Sequence, residues 1–248
     1  MRGTRHGRAV ATRTGRRLIW GMPPALAVPT PPAEPAVAPE APRARAVPWG
    51  RWLAVSVVAI VAAHLLDAWA WRMLRDPRVY ERDWGRLLRI LGYLPTWGIV
   101  ALALWQGGAD RARGASRARL VLLAPLLGGV VAEVGKLLAR RLRPDPELFG
   151  YAFRAFAEGP WSNRGMGLPS SHMLVAFAGA SALAVLFPRL RWLWYVLAAG
   201  CGLTRVLAVG HFLSDVVVAA CLGWGVARGV DQWVHHRDAS RGAREGTA

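Results

Sequence analysis

Long apolar runs follow one another from Trp52 to about residue 229. The first, WLAVSVVAIVAAHLLDAWAW (52–71), has about the length a helix needs to cross the hydrocarbon core of a bilayer, roughly 20 residues. It is followed by GYLPTWGIVALALW, LVLLAPLLGGVVAEVGKLLA, MLVAFAGASALAVLF, WLWYVLAAGCGLTRVLAVG and FLSDVVVAACLGWGVA. Six helices are expected, at about 52–71, 92–107, 119–140, 171–187, 191–209 and 211–229, several of them short for a perpendicular span. Trp52, Trp71, Trp105, Trp192 and Trp194 stand at run ends, as in the aromatic belt of membrane proteins. The expected fold class is all-α, an integral-membrane bundle of about six transmembrane helices. A soluble bundle of buried helices is the alternative. Segment 72–91, RMLRDPRVYERDWGRLLRIL, mixes charge with a Leu/Ile stripe and is expected to be an interfacial helix.

The formal charge is +17, from 32 basic and 15 acidic residues. The arginines fall between the apolar runs and not on one polar face, so a nucleic-acid partner is not expected. Residues 1–50 combine Arg2, Arg5, Arg8, Arg13, Arg16 and Arg17 with a Pro/Ala-rich stretch, which is expected to be a disordered tail. The short apolar piece around LIWGM is interrupted by prolines, so it is not expected to act as a signal peptide. Attachment of this tail to anionic lipid is one reading, and a solvated tail without a task is the other. Residues 231–248 read as a polar C-terminal tail. Cys201 and Cys221 lie in separate apolar runs and read as small buried hydrophobes. No Cys/His cluster has metal-ligand spacing, so neither metal nor cofactor is expected. With the N-terminus in the cytoplasm, Arg111, Arg113, Arg117, Arg119, Arg189 and Arg191 are also inside, and the positive-inside rule favours this orientation, although the outside segments 72–91 and 140–168 carry arginines as well.

Charges within apolar runs are costly and therefore informative: His64, Asp67, Glu133, Lys136, Arg205, His211 and Asp215. His64 and Asp67 are spaced i, i+3 and are expected to satisfy each other. Glu133 and Lys136 share that spacing, either as a structural ion pair or with Glu133 holding Lys136 for a substrate. Lys136 is the only lysine in the chain. Seven residues on is Arg143; on a continuing helix the two face one way about 10 Å apart, and Pro144 puts the helix end near Arg143. A compact and a forked cation there suit an oxyanion, although Arg140 and Arg141 beside them also fit a plain membrane boundary. In GLPSSHMLVAF, Ser170 and Ser171 open an apolar helix whose free N–H groups can bind an anion, with His172 in its first turn. A capping serine next to an ordinary histidine is the alternative. In TRVLAVGHFLSD, His211 and Asp215 are i, i+4, so the carboxylate can accept from one ring nitrogen and fix the tautomer. A pair that only knits a polar helix end is the other reading.

Taken in order, Lys-x6-Arg-Pro (136–144), Pro-Ser-x-His (169–172) and Arg-x5-His-x3-Asp (205–215) resemble the signature of the type 2 phosphatidic acid phosphatase superfamily, which also contains vanadium haloperoxidases. The resemblance covers about residues 50–230. Two positions depart from the pattern: Ser171 stands where glycine is usual and Thr204 where serine is usual, each keeping the backbone N–H or hydroxyl concerned. The resemblance implies that His211 attacks phosphorus to give a phosphohistidine, that Asp215 orients it, and that His172 protonates the leaving group and then activates water. It further implies that Lys136, Arg143, Ser170, Ser171 and Arg205 hold the phosphoryl oxygens, with no metal. The implied protein is a membrane phosphatase, domain 51–230, acting on a lipid phosphate or diphosphate of the phosphatidic acid, phosphatidylglycerophosphate or isoprenyl diphosphate class. Its partners are the lipid substrate and the bilayer. In a six-helix bundle the three motifs share one side, expected to be the outer face of the cell (inner) membrane. A lipid phosphotransferase, a haloperoxidase and a non-enzymatic membrane protein with the same bundle are the alternatives.

Overall fold

The computed structural model describes residues 47–107 and 110–245, so the expected tail over 1–50 lies outside the described residues except at its C-terminal end. Seven α-helices follow in chain order: α1 Trp49–Met73, α2 Asp83–Ile90, α3 Leu94–Gln106, α4 Arg111–Ala139, α5 Ser171–Leu186, α6 Arg191–Leu207 and α7 Leu213–Glu245. The fold is all-α; among the described residues the only β pairing is two isolated bridges, Arg141 with Phe153 and Leu142 with Met166.

A helix stands over each of the six apolar runs, but they are not six equal spans. Among the described residues three helices are long and apolar enough to cross a membrane, α1, α4 and α7. A fourth is obtained if α2 and α3, bent by 65° at their junction, form one broken span, and α5 is a shorter apolar helix. The outward faces fit a lipid solvent: Val55, Val58, Val61 and Leu65 on α1 and Leu138 on α4 are more than half exposed. Segment 72–91 is not one interfacial helix. It forms a 3-10 turn at Val79–Glu81 and then α2, which packs on α6. At the other end α7 continues well past the expected stop near 229. Its polar residues find partners: Asp231 meets Arg228, and Asp238 accepts from Ser116 and Arg119 on α4.

The centre of the bundle is α5, which packs against α4, α6 and α7. Its run AGASA (178–182) is made of small residues, so neighbouring backbones approach closely, the means by which helices associate where lipid removes the hydrophobic drive. The tightest approach is at Gly179, where a Cβ would lie 2.3 Å from the Trp97 ring. Gly179→Leu is expected to force Trp97 out and cost about 1–3 kcal/mol; a lowered unfolding temperature in detergent, absent for the same change at open Gly98, is the check.

Consecutive helices α4 to α7 run up and down, so the end of α4, the start of α5, the end of α6 and the start of α7 meet at one end. The chain between α4 and α5 is folded back over this end. Helix α4 stops at Ala139 because Arg140 turns left-handed, with φ of 55°. The Arg140 guanidinium then donates to the carbonyls of Arg154, Ala155, Glu158 and Pro160, which pins the 154–160 loop to the helix end.

Candidate active site

The three motif segments meet at this end. Ser170 caps α5 and its N–H donates to the Asp215 carbonyl at the start of α7. His211 lies in the short link between α6 and α7, and its Nδ1 is 2.9 Å from the Gly167 carbonyl ahead of α5. A carbonyl only accepts, so Nδ1 carries the proton and the Nε2 lone pair is free. Arg205, in the last turn of α6, folds back against Gly210, where a Cβ would stand 3.1 Å from its Nη2.

The cations gather round the two histidines. The titratable neighbours of His172 are Arg205, Arg89, His211 and Lys136. Arg143 is largely exposed at the rim and shares the field of Arg205, Asp215 and Glu133; partial loss of water around its head group and then Arg205 lower its pKa. Lys136 is buried, with Nζ 2.8 Å from Glu133 Oε1. The same Oε1 accepts from Ser171 Oγ at 2.8 Å, and Oε2 accepts from Asn163 of the loop. The serine that replaces a glycine thus acquires a bond that glycine could not make. Thr204, by contrast, turns its hydroxyl onto the Cys201 carbonyl of its own helix, 2.7 Å away.

Several expectations require correction. Lys136 and Arg143 do not share a helix, because α4 ends at Ala139 and not near Arg143. His64 and Asp67 do not pair. His64 uses Nδ1 on the Ile60 carbonyl and Nε2 on Arg141, while Asp67 accepts from Tyr151 and Ser214. Asp215 does not accept from the ring of His211, since Oδ2 is 3.7 Å from Nδ1, beyond hydrogen-bond range. The helical i, i+4 geometry fails because α7 starts at Leu213, after the histidine. The Asp215 carboxylate instead accepts from the Phe212 N–H and from Arg141.

Spacing also missed residues. Arg141, read as a boundary charge, is buried and reaches Ser214 and Asp215. Tyr80, from the turn before α2, donates to the Thr204 carbonyl and accepts from Arg205 Nη1 at 2.9 Å, which aims the guanidinium. Tyr80 carries no motif, so only the fold reveals it.

Residues 117–239 match the PAP2 superfamily. This part of the chain belongs to that superfamily. It holds α5 and α6, the site residues of α4 and α7, and all three motif segments. The chain is 32% identical over 98 residues, 40% of each sequence, to a lipid A 1-phosphatase of Rhizobium johnstonii. It is also 32% identical over 100 residues to a lipid A 1-phosphatase of Rhizobium etli, 40% of this chain and 42% of the relative. The matched stretch thus spans about two fifths of the length of these relatives. No solved structure matches the chain.

Proposed function

We propose that this PAP2 superfamily protein is an integral-membrane phosphatase that hydrolyses a lipid phosphate or diphosphate through a phosphohistidine at His211. One observation carries the reading. Among the described residues the buried Nε2 of His172, Oγ of Ser170 and Nε of Arg205 lack hydrogen-bond partners, and they come from the second motif segment and from the third, which carries His211. Orphaned polar atoms cost free energy, and a tetrahedral oxyanion held among them and the cations would satisfy them together.

In the first half-reaction His211 Nε2 attacks phosphorus, the P–O bond to the lipid breaks, and His172 gives its proton to the departing oxygen. In the second, His172 takes a proton from water, the hydroxide attacks phosphorus, the N–P bond breaks and phosphate leaves. Lys136, Arg143 and Arg205 offset the charge on the equatorial oxygens, and the Ser171 N–H adds the dipole of a helix start, the Ser170 N–H being engaged by the Asp215 carbonyl. The 51–230 stretch would be the unit that performs this.

Lipid as the substrate is supported by an apolar groove of about 640 Å³ that runs along α3 and α4 past Leu94, Leu126, Val130 and Val134 to Glu133, Ser171 and His172. A chain lying there would bring its phosphate to the histidines from within the bilayer. The relatives' names add lipid A to the substrates expected from sequence. The connections carrying Arg111, Arg113, Arg189 and Arg191 lie at the far end of the bundle from the histidines. By the positive-inside rule, this arrangement supports a site on the outer face of the inner membrane.

The test is phosphate release by the purified protein over phosphatidic acid, phosphatidylglycerophosphate, an isoprenyl diphosphate and lipid A, with vanadate as competitor. Release from none of them overturns the reading, and transfer of the phosphoryl group to an added lipid acceptor in preference to water makes the protein a phosphotransferase.

A pH dependence follows from the burial of His211, which holds its pKa below the ordinary histidine value against the opposing pull of Asp215. The ring is then neutral and nucleophilic at pH 7. The acid limb of kcat/KM belonging to His211 is expected below about pH 6.5, the unperturbed value. The stability sign agrees: the unfolded chain takes up this proton first, so stability falls as pH drops from about 6.5 towards the lower folded pKa. An acid limb above that value would assign the nucleophile to another group.

A further inference from the structure

Outside the residues that match the superfamily, α1 sends one carboxylate into the site region. Asp67 is 1% exposed. Its Oδ1 accepts from the Ser214 N–H at 2.8 Å, and its Oδ2 accepts from Ser214 Oγ and, at 2.7 Å, from the Tyr151 hydroxyl. Ser214 has one hydroxyl proton and gives it to Asp67, so its lone pairs are turned to Arg141, whose Nη2 donates to Ser214 Oγ at 2.8 Å and also to Asp215. Nη1 of the same guanidinium is 3.3 Å from His64 Nε2, and the guanidinium lies over the rings of Tyr151 and Phe212.

We propose that Asp67 is a positioning residue for the His211 reaction, acting through Ser214 and Arg141 on Asp215. This rests on the phosphohistidine reading. Two carboxylates and one guanidinium, all buried, leave one negative charge in excess. Arg141 is shared between Ser214 and Asp215, so it does not neutralise Asp215 in full. The remaining field favours positive charge on the imidazole of His211, the charge that its ring acquires as the N–P bond forms. Burial of an incompletely balanced set is costly, which makes it poor as a pure staple and suited to tuning a neighbour. The charged groups facing His211 are Asp215 from α7, Arg205 from α6 and Arg143 from the loop, with His172 from α5 and, next to His172, Lys136 from α4. Among these Asp215 is the only anion, and it is the one that Asp67 reaches.

The experiment compares Asp67→Asn, which removes the charge, with Tyr151→Phe, which removes a hydrogen bond to the same oxygen and keeps the charge. In the full-length protein with any lipid phosphate it hydrolyses, Asp67→Asn is expected to lower kcat about tenfold or more with KM within about threefold, and to move the acid limb of kcat/KM about one unit to lower pH. Tyr151→Phe is expected to leave that limb in place. A purely structural role would lower the unfolding temperature of both variants and shift neither limb; that outcome overturns the proposal. Should Asp67→Asn not accumulate as folded protein, Ser214→Ala carries the same test: it cuts the bridge, Arg141 pairs fully with Asp215, and the limb must again move to lower pH. If His211→Ala retains activity, the phosphohistidine reading itself fails, whatever Asp67→Asn does.

Discussion

Replacement of His211 by alanine is expected to lower phosphate release by about 10⁴-fold or more, the scale seen when a covalent nucleophile is removed. The size of the loss follows from the position of the ring. Its Nδ1 proton is held by the Gly167 carbonyl, so Nε2 is the only nucleophilic nitrogen it presents, and it is buried where water cannot substitute for it. Two measurements make the outcome decisive. The unfolding temperature in detergent reports whether the variant is folded. An alkaline quench during turnover is expected to trap a labelled, base-stable and acid-labile phosphoryl group on the wild type and none on the variant. Activity within tenfold of wild type in a folded variant would remove His211 from the chemistry.

The second large effect concerns Arg205. Arg205→Lys keeps the charge and is still expected to reduce kcat/KM by about 10²–10³-fold, the cost of losing a placed oxyanion donor. The guanidinium reaches the site only because Nη1 is aimed by the Tyr80 hydroxyl and the group lies against a residue without a Cβ at Gly210. An ammonium on a flexible stem has neither constraint. Tyr80→Phe leaves the cation and loses the aim, so a smaller loss, about tenfold, is expected. If lysine at 205 performs as well as arginine, the site needs only positive charge there, and the forked contact has no role.

What could be read from sequence and what could not divide along the line between local and distant order. The helices were legible because a bilayer demands apolar runs of a given length, and each run carries a helix. Their ends were less so. Arg140 stops α4 by a left-handed turn that no Gly or Asn announced, so the Lys136–Arg143 stretch was read as more helical than it is. The end of α7 was placed too early because residues 231–248 read as a polar tail, whereas Asp231 and Asp238 are paired with Arg228, Arg119 and Ser116. At the end of the bundle the structure brings Lys136, His172, Arg205, His211 and Asp215 near one another, as the resemblance led one to expect. Partner choice was not legible. Spacing of i, i+3 suggested that Asp67 served His64, but its donors are 84 and 147 residues away along the chain. Nor could RRLRP say which of its arginines turns inward; the break at Arg140 sends Arg141 to Asp215 and leaves Arg143 at the rim.

The grip of Arg140 on the loop has an evolutionary consequence. Each of its acceptors is a main-chain carbonyl, a group that every amino acid possesses. Apart from Phe156, whose ring lies under the guanidinium, and Gly159, held at positive φ, side chains between residues 154 and 160 can therefore be exchanged without releasing the clamp. A library randomised over those positions should yield many folded members, whereas a single change at Arg140 should unseat the whole segment.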